Sequence, residues 1–92
     1  MNNFNPAVVR KEMIVRNKMG LHARPAALFV QLANKFEAEI TVQKDDEEVN
    51  GKSIMGIMML AATQGSKIYI IAKGEDAQQA VEELSKLVMS EE

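Results

Sequence analysis

Apolar residues recur along this chain with two periods. In three stretches every second residue is apolar, the spacing of a strand with one buried face; in three others they recur every three or four residues, as along a helix. Arg10 to Asn17 puts Met13 and Val15 on one face and Glu12 and Arg16 on the other, with Ile14 interrupting the polar side. Glu39 to Lys44 alternates cleanly, Asp45-Asp46 signals a turn, and Glu47 to Asn50 reads as the return strand. Lys67 to Lys73 is the strongest strand, with Ile68, Ile70 and Ala72 facing one way.

The first helical run, Ala26 to Phe36, has an apolar arc of Ala26, Phe29, Val30, Ala33 and Phe36, widened by Leu28 and Leu32. Ala27, Gln31, Asn34 and Lys35 lie opposite. Pro25 disfavours helical angles at Arg24, which places the helix start near that proline. Ser53 is a cap for a short helix over Ile54 to Leu60, with Ile54, Ile57 and Leu60 or Ala61 turned inward. The last helix carries Ala77, Ala80, Val81, Leu84, Leu87 and Val88 as its stripe. Asp76 and Gln79 have the spacing of a capping box, and Met89 to Glu92 should fray.

The order β-α-β-β-α-β-α with half-buried strands predicts an α+β domain of two layers, an antiparallel sheet covered by helices on one face. Periodicity does not fix the strand order, and a ferredoxin-like arrangement fits it equally well. Residues 1–7 read as a flexible arm and 8–90 as a single domain.

Composition narrows the function classes. The chain has 92 residues, enough for one core. A formal charge of -2 and only 4% aromatic residues argue against nucleic-acid binding through phosphate contacts or base stacking. Cysteine is absent and there is one histidine, so disulfides, thiolate metal sites and a histidine-rich metal site are all excluded. No apolar run is long enough to span a membrane. The polar start, Met1 to Pro6, lacks a signal-peptide core, so the cytoplasm is the expected compartment and membrane insertion is not expected.

The candidate chemistry gathers in Gly20-Leu21-His22-Ala23-Arg24-Pro25-Ala26. The single histidine stands where a strand gives way to a helix. The backbone N–H groups of a helix start lack intrahelical acceptors and, with the helix dipole, favour a phosphate. Imidazole is a nucleophile that is substantially neutral near pH 7. Arg24 adds a guanidinium fork suited to phosphate oxygens. Each residue also has a plain reading: a surface histidine, a turn glycine, a first-turn proline. It is their clustering that favours chemistry. Ser53 is a second candidate, either a plain cap or a site for a phosphate. Met55 and Met58, crowded on the short helix, either fill the core or form an adaptable docking surface.

The stretch from Gly20 to Ala26 resembles the active-site motif of HPr, the histidine phosphocarrier family of the bacterial phosphotransferase system. Asn50-Gly51-Lys52-Ser53-Ile54-Met55-Gly56-Ile57 resembles that family's regulatory-serine region, at the matching spacing. The resemblance runs from about residue 10 to 90. It implies an open-faced β-sandwich with strand order 1-4-2-3 and three helices on one face. It implies that His22 takes a phosphoryl group on Nδ1 from phosphorylated Enzyme I and passes it to an Enzyme IIA histidine. Arg24, with the backbone of Ala23 and Arg24, would hold the phosphate. Ser53 would be phosphorylated by a serine kinase/phosphorylase. Ala27, Gln31, Ile54, Met55 and Met58 would form the docking face. No metal or cofactor of its own is expected, and the chain would act as a monomer.

One departure bears on the branch. Three residues before the histidine, sugar-branch carriers often have Ser or Asn; Met19 is similar instead to the nitrogen-related regulatory branch. The Ser53 region resembles carriers under serine-kinase control. Two readings follow, a carrier feeding sugar permeases and a regulatory binding module without transport.

Overall fold

The computed structural model describes residues 7–90; the expected arm lies almost wholly outside them. The elements are β1 (Val8–Ile14), α1 (Ala23–Ala33), β2 (Glu39–Lys44), β3 (Glu47–Asn50), α2 (Ile54–Met59), β4 (Lys67–Lys73) and α3 (Ala77–Val88). The strands form one sheet in the order β1-β4-β2-β3. Every neighbouring pair is antiparallel. The ordering left open by periodicity is thus resolved, and β4 lies between β1 and β2.

Register explains the core. Met13 pairs with Ile68, and Val42 stands between Ile70 of β4 and Val49 of β3. Their side chains share one face with Ile40 and Ala72. On that face α1 lays Ala26, Phe29, Val30 and Ala33, and α3 lays Ala77, Ala80, Val81, Leu84 and Val88. Alanines at the contacts let α3 lie close against β1 and β4 and let α1 pack against α3, and Phe29 of α1 is fully buried in the core. Full burial of that ring contributes roughly 2–3 kcal/mol. The opposite face is open. There the Arg10 guanidinium lies 3.9 Å above the Tyr69 ring. Glu12 accepts from the Tyr69 hydroxyl at 3.1 Å and pairs with Lys67 at 3.2 Å.

Four local expectations change. β1 runs from Val8 to Ile14 rather than from Arg10 to Asn17. Its ladder with β4 ends at Lys67, and Val15 bonds the turn beyond: its N–H donates to Ser66 and its carbonyl accepts from Gly65. α1 begins at Ala23, with Arg24 helical despite the proline after it. Pro25 occupies the first turn, where a backbone N–H would have no partner within the helix. Ile54 does not turn inward but is exposed, while Ile57 and Leu60 are buried. In a helix of only six residues those two fill the inward side. Finally, Asp76 does not cap α3 through its side chain. Its carboxylate reaches instead to the loop after α1, accepting from Glu37 N–H and Ala38 N–H, both at 2.9 Å. Gln79 donates to Glu83.

Candidate functional site

His22 is the N-cap residue of α1, with φ -82° and ψ -166°, an extended conformation that halts the helix behind it. Its carbonyl accepts from Ala26 at 2.9 Å, closing the first turn. No side-chain bond caps the helix, and the imidazole is exposed. Between them, Ala23 and Arg24 supply the first-turn N–H groups, since Pro25 has none. Those two amides, the exposed guanidinium of Arg24 and the imidazole form a small electropositive end suited to a dianion.

The loop behind the histidine is tightly determined. Asn17 folds a turn in which its side-chain oxygen accepts from Met19 N–H at 2.8 Å and its carbonyl accepts from Gly20 N–H at 2.9 Å. Gly20 has φ +73°, a left-handed backbone open to glycine at little cost. A Cβ there would collide with the Ala62 carbonyl and lie 2.9 Å from Thr63 Cα.

His22 stands between two hollows. One is lined by Arg24, Pro25 and Leu28 from α1, with Leu87 and Val88 from the end of α3. The other is lined by Met58, Ala61 and Ala62 at the end of α2, and Met19 and Leu21 border both. A separate groove, lined by Glu37, Glu39, Glu48 and Lys52, is acidic and would repel a phosphoryl group.

Of the residues expected at the docking face, Gln31, Ile54, Met55 and Met58 are exposed and Ala27 is half-buried. Arg24, Ala27, Leu28 and Gln31 share one side of α1, because residues three and four apart are neighbours there. Leu28, expected in the buried arc, is 45% exposed, and Met19 and Met59 are exposed as well. These three were not legible as site residues. Leu28 falls four residues after Arg24, which is the signal that could have placed it. The methionines of α2 do not fill the core; Met13 is the buried one among the described residues.

Ser53 is half-buried and caps α2, its hydroxyl accepting from Gly56 N–H at 3.0 Å. Beside it the Lys52 ammonium donates to the Phe36 carbonyl at 2.7 Å, tying this turn to the segment after α1. Met55 and Met58 put apolar surface between Ser53 and the hollow beside His22.

A family model described as the PTS HPr component phosphorylation site matches residues 9–90. HPr-like protein Crh of Bacillus subtilis is 50% identical over 84 residues, 91% of this chain and 99% of that protein. Its crystal structure, with a TM-score of 0.74 over 91% of this chain and 97% of that one, is described as a dimer with a swapping domain. Phosphocarrier protein HPr of Xylella fastidiosa is 48% identical over 87% of this chain and 90% of its own length. The crystal structure of HPr from Bacillus anthracis superposes with a TM-score of 0.86 at 55% identity, covering 89% of this chain and 98% of that one. With a family model matching residues 9–90 and relatives of about half identity over most of the chain, this chain belongs to the HPr family of phosphotransferase-system components.

Proposed function

We propose that the chain is a phosphoryl relay in which His22 accepts a phosphoryl group from phosphorylated Enzyme I and hands it to a histidine of an Enzyme IIA domain. The observation that carries this reading is an exposed imidazole at the start of α1, beside two first-turn N–H groups and Arg24. The phosphorus–nitrogen bond on the donor breaks as a new one forms to an imidazole nitrogen. Negative charge is spread over the three phosphoryl oxygens, and the Ala23 and Arg24 amides and the guanidinium are aimed at it. The Leu28 side of α1 and the Met55–Met58 side of α2 exclude water around the junction when a partner seats, which strengthens each of those contacts. His22, Arg24 and this face lie on one chain, which supports reading a monomer as the acting unit. Ser53, at the edge of the same face, is the regulatory position for a serine kinase/phosphorylase.

Incubation with phosphoenolpyruvate, Mg²⁺ and Enzyme I should place one acid-labile phosphate on each chain. His22→Ala should abolish it and leave the fold intact. Full labelling of that variant would reject the assignment.

A second reading is favoured by Met19. An exposed thioether borders both hollows beside His22 and offers the phosphate no hydrogen-bond donor. In this reading the chain is a regulatory module whose His22 and Ser53 states set partner affinity, without sugar transport. Transfer rates from general Enzyme I and from its nitrogen-branch counterpart, measured side by side, separate the two.

A further inference from the structure

We propose that the methionines around His22 are a peroxide-sensitive modification site, and that their oxidation to sulfoxides uncouples this protein from its partners without unfolding it.

The chain has no cysteine, so peroxide finds no thiol to attack and the thioethers are its softest nucleophiles. They are unevenly placed. Met19, Met55 and Met59 are each more than 70% exposed and Met58 is 45% exposed, whereas Met13 is 3% exposed beneath the helices. Met55 and Met59 are one helical turn apart on α2, with Met58 beside them. Met58 and Met19 both border the hollow that contains His22. Met89, at the end of α3, is 37% exposed, less than any of these four. Among the described residues the most accessible sulfur is therefore concentrated at the proposed docking face.

The reaction is balanced. A sulfur lone pair attacks one peroxide oxygen, the O–O bond breaks, and the leaving hydroxide takes up a proton to become water. Sulfur is oxidised by two electrons and the peroxide is reduced by two. A methionine sulfoxide reductase reverses the step with two electrons from a dithiol, releasing the oxygen as water. The product is a strong hydrogen-bond acceptor on a stiffer, polar side chain. Seated against an apolar partner surface it would be buried without a donor, which is unfavourable. None of the four side chains is part of the buried core, so the fold does not depend on them.

The consequence for transfer rests on the carrier reading above, and the test separates the two. The purified protein is treated with hydrogen peroxide, the peroxide is removed with catalase, and sulfoxides are located by peptide mass spectrometry. Met19, Met55, Met58 and Met59 should oxidise well before Met13, with the melting temperature nearly unchanged. Transfer from Enzyme I should fall at least tenfold, mainly through a raised KM for this protein, and should recover after sulfoxide-reductase treatment. The variant M19L/M55L/M58L/M59L should transfer after peroxide at its own rate before peroxide. Early oxidation of Met13, or full transfer by a protein carrying the four sulfoxides, overturns the inference while leaving the relay intact. Untreated protein that takes no phosphoryl group from Enzyme I overturns the relay, and the uncoupling with it.

Discussion

Leu21 N–H donates to the Ala62 carbonyl at 2.9 Å, and through that bond the loop behind His22 hangs on the segment leaving α2. The same carbonyl is the atom that Gly20 abuts. The His22 loop and the methionine-bearing helix thus have a common support, which holds the two apolar sides of the proposed docking face in fixed relation. Ala61, between them, has φ 53° and ends α2 in a left-handed residue.

Gly20 is the position where this support is most exposed to mutation. Gly20→Ala meets both a left-handed backbone and the Ala62 carbonyl, so it should lower stability by about 2 kcal/mol or more and slow transfer. Gly65 is the control: φ is +88°, but nothing lies within 4 Å of an added Cβ. Gly65→Ala should cost only about 1 kcal/mol. Urea unfolding of both variants measures the difference, and equal losses would show that the Ala62 contact yields.

Arg24 is exposed, and Lys67–Glu12 is the ion pair found among the described residues. Arg24→Ala should therefore leave the melting temperature in place. Transfer should slow at least tenfold, about 1.4 kcal/mol of barrier, because the charge it meets arises on the moving phosphoryl group. Normal kinetics toward both donor and acceptor would reduce Arg24 to surface charge.

Ser53 can be tested as a cap and as a switch. Ser53→Ala removes the acceptor of Gly56 N–H and should cost about 1 kcal/mol. Ser53→Asp keeps an acceptor in place and adds a charge at the rim of an apolar face. It should slow phosphorylation of His22 by Enzyme I, chiefly through weaker binding, with little change in melting temperature. High salt should relieve the effect if like-charge repulsion dominates, and leave it if desolvation does. Stopped-flow titration reads both. An Asp variant, checked against authentically phosphorylated protein, that behaves as wild type would leave Ser53 only its cap.

Asp76 ties α3 to the loop after α1. Ala38 is buried, so removing the carboxylate takes the acceptor from an N–H in a part-buried place as well as from the more exposed Glu37 N–H. Asp76→Ala should destabilise by about 2–3 kcal/mol, and Asp76→Asn by less. His22 lies near the other end of α3, beside Leu87 and Val88, so transfer by the folded variant should be normal. Denaturation and transfer assays on the same samples would expose any coupling.

The open face of the sheet predicts a small pH dependence. Hydrogen bonds from Lys67 and Tyr69 hold the Glu12 carboxyl below its usual range, and Glu12 raises Lys67 above the ordinary lysine value. A depressed acid stabilises above its unfolded-state pKa and loses that contribution as pH falls through the folded one. A raised lysine stabilises below its unfolded-state pKa and loses it as pH rises through the folded value. The pair should be intact across neutral pH and released at both extremes. Both groups are exposed, so salt should weaken it. Wild type and Glu12→Gln, unfolded across pH, should converge in acid; a gap that persists there would point to the Tyr69 bond instead.

Much of the fold was legible because local and tertiary preferences agree. The limits of β2 and β4 follow from alternation and those of β3 from the turn signals on either side of it, and Ser53 caps α2 as its side chain and position suggest. The misreadings arise where a partner distant in sequence decides. Only β4 determines where β1 stops, and only the loop at Glu37 and Ala38 draws Asp76 away from its own helix. The site divides in the same way. His22 and Arg24 stand together in the sequence, whereas Leu87 and Val88 of α3 and Ala62 after α2 come to border the site only through packing.

The place of β4 in the sheet also sets when each new molecule becomes competent. Met13 finds its ladder partner in Ile68, and the loop at Leu21 finds its support in Ala62, both far downstream. Closing such distant contacts is entropically slow. His22 leaves the ribosome early, yet its loop has nothing to rest on until α2 and β4 have followed. A product truncated before β4 would carry the whole histidine motif and none of the pairing that holds β1 in the sheet.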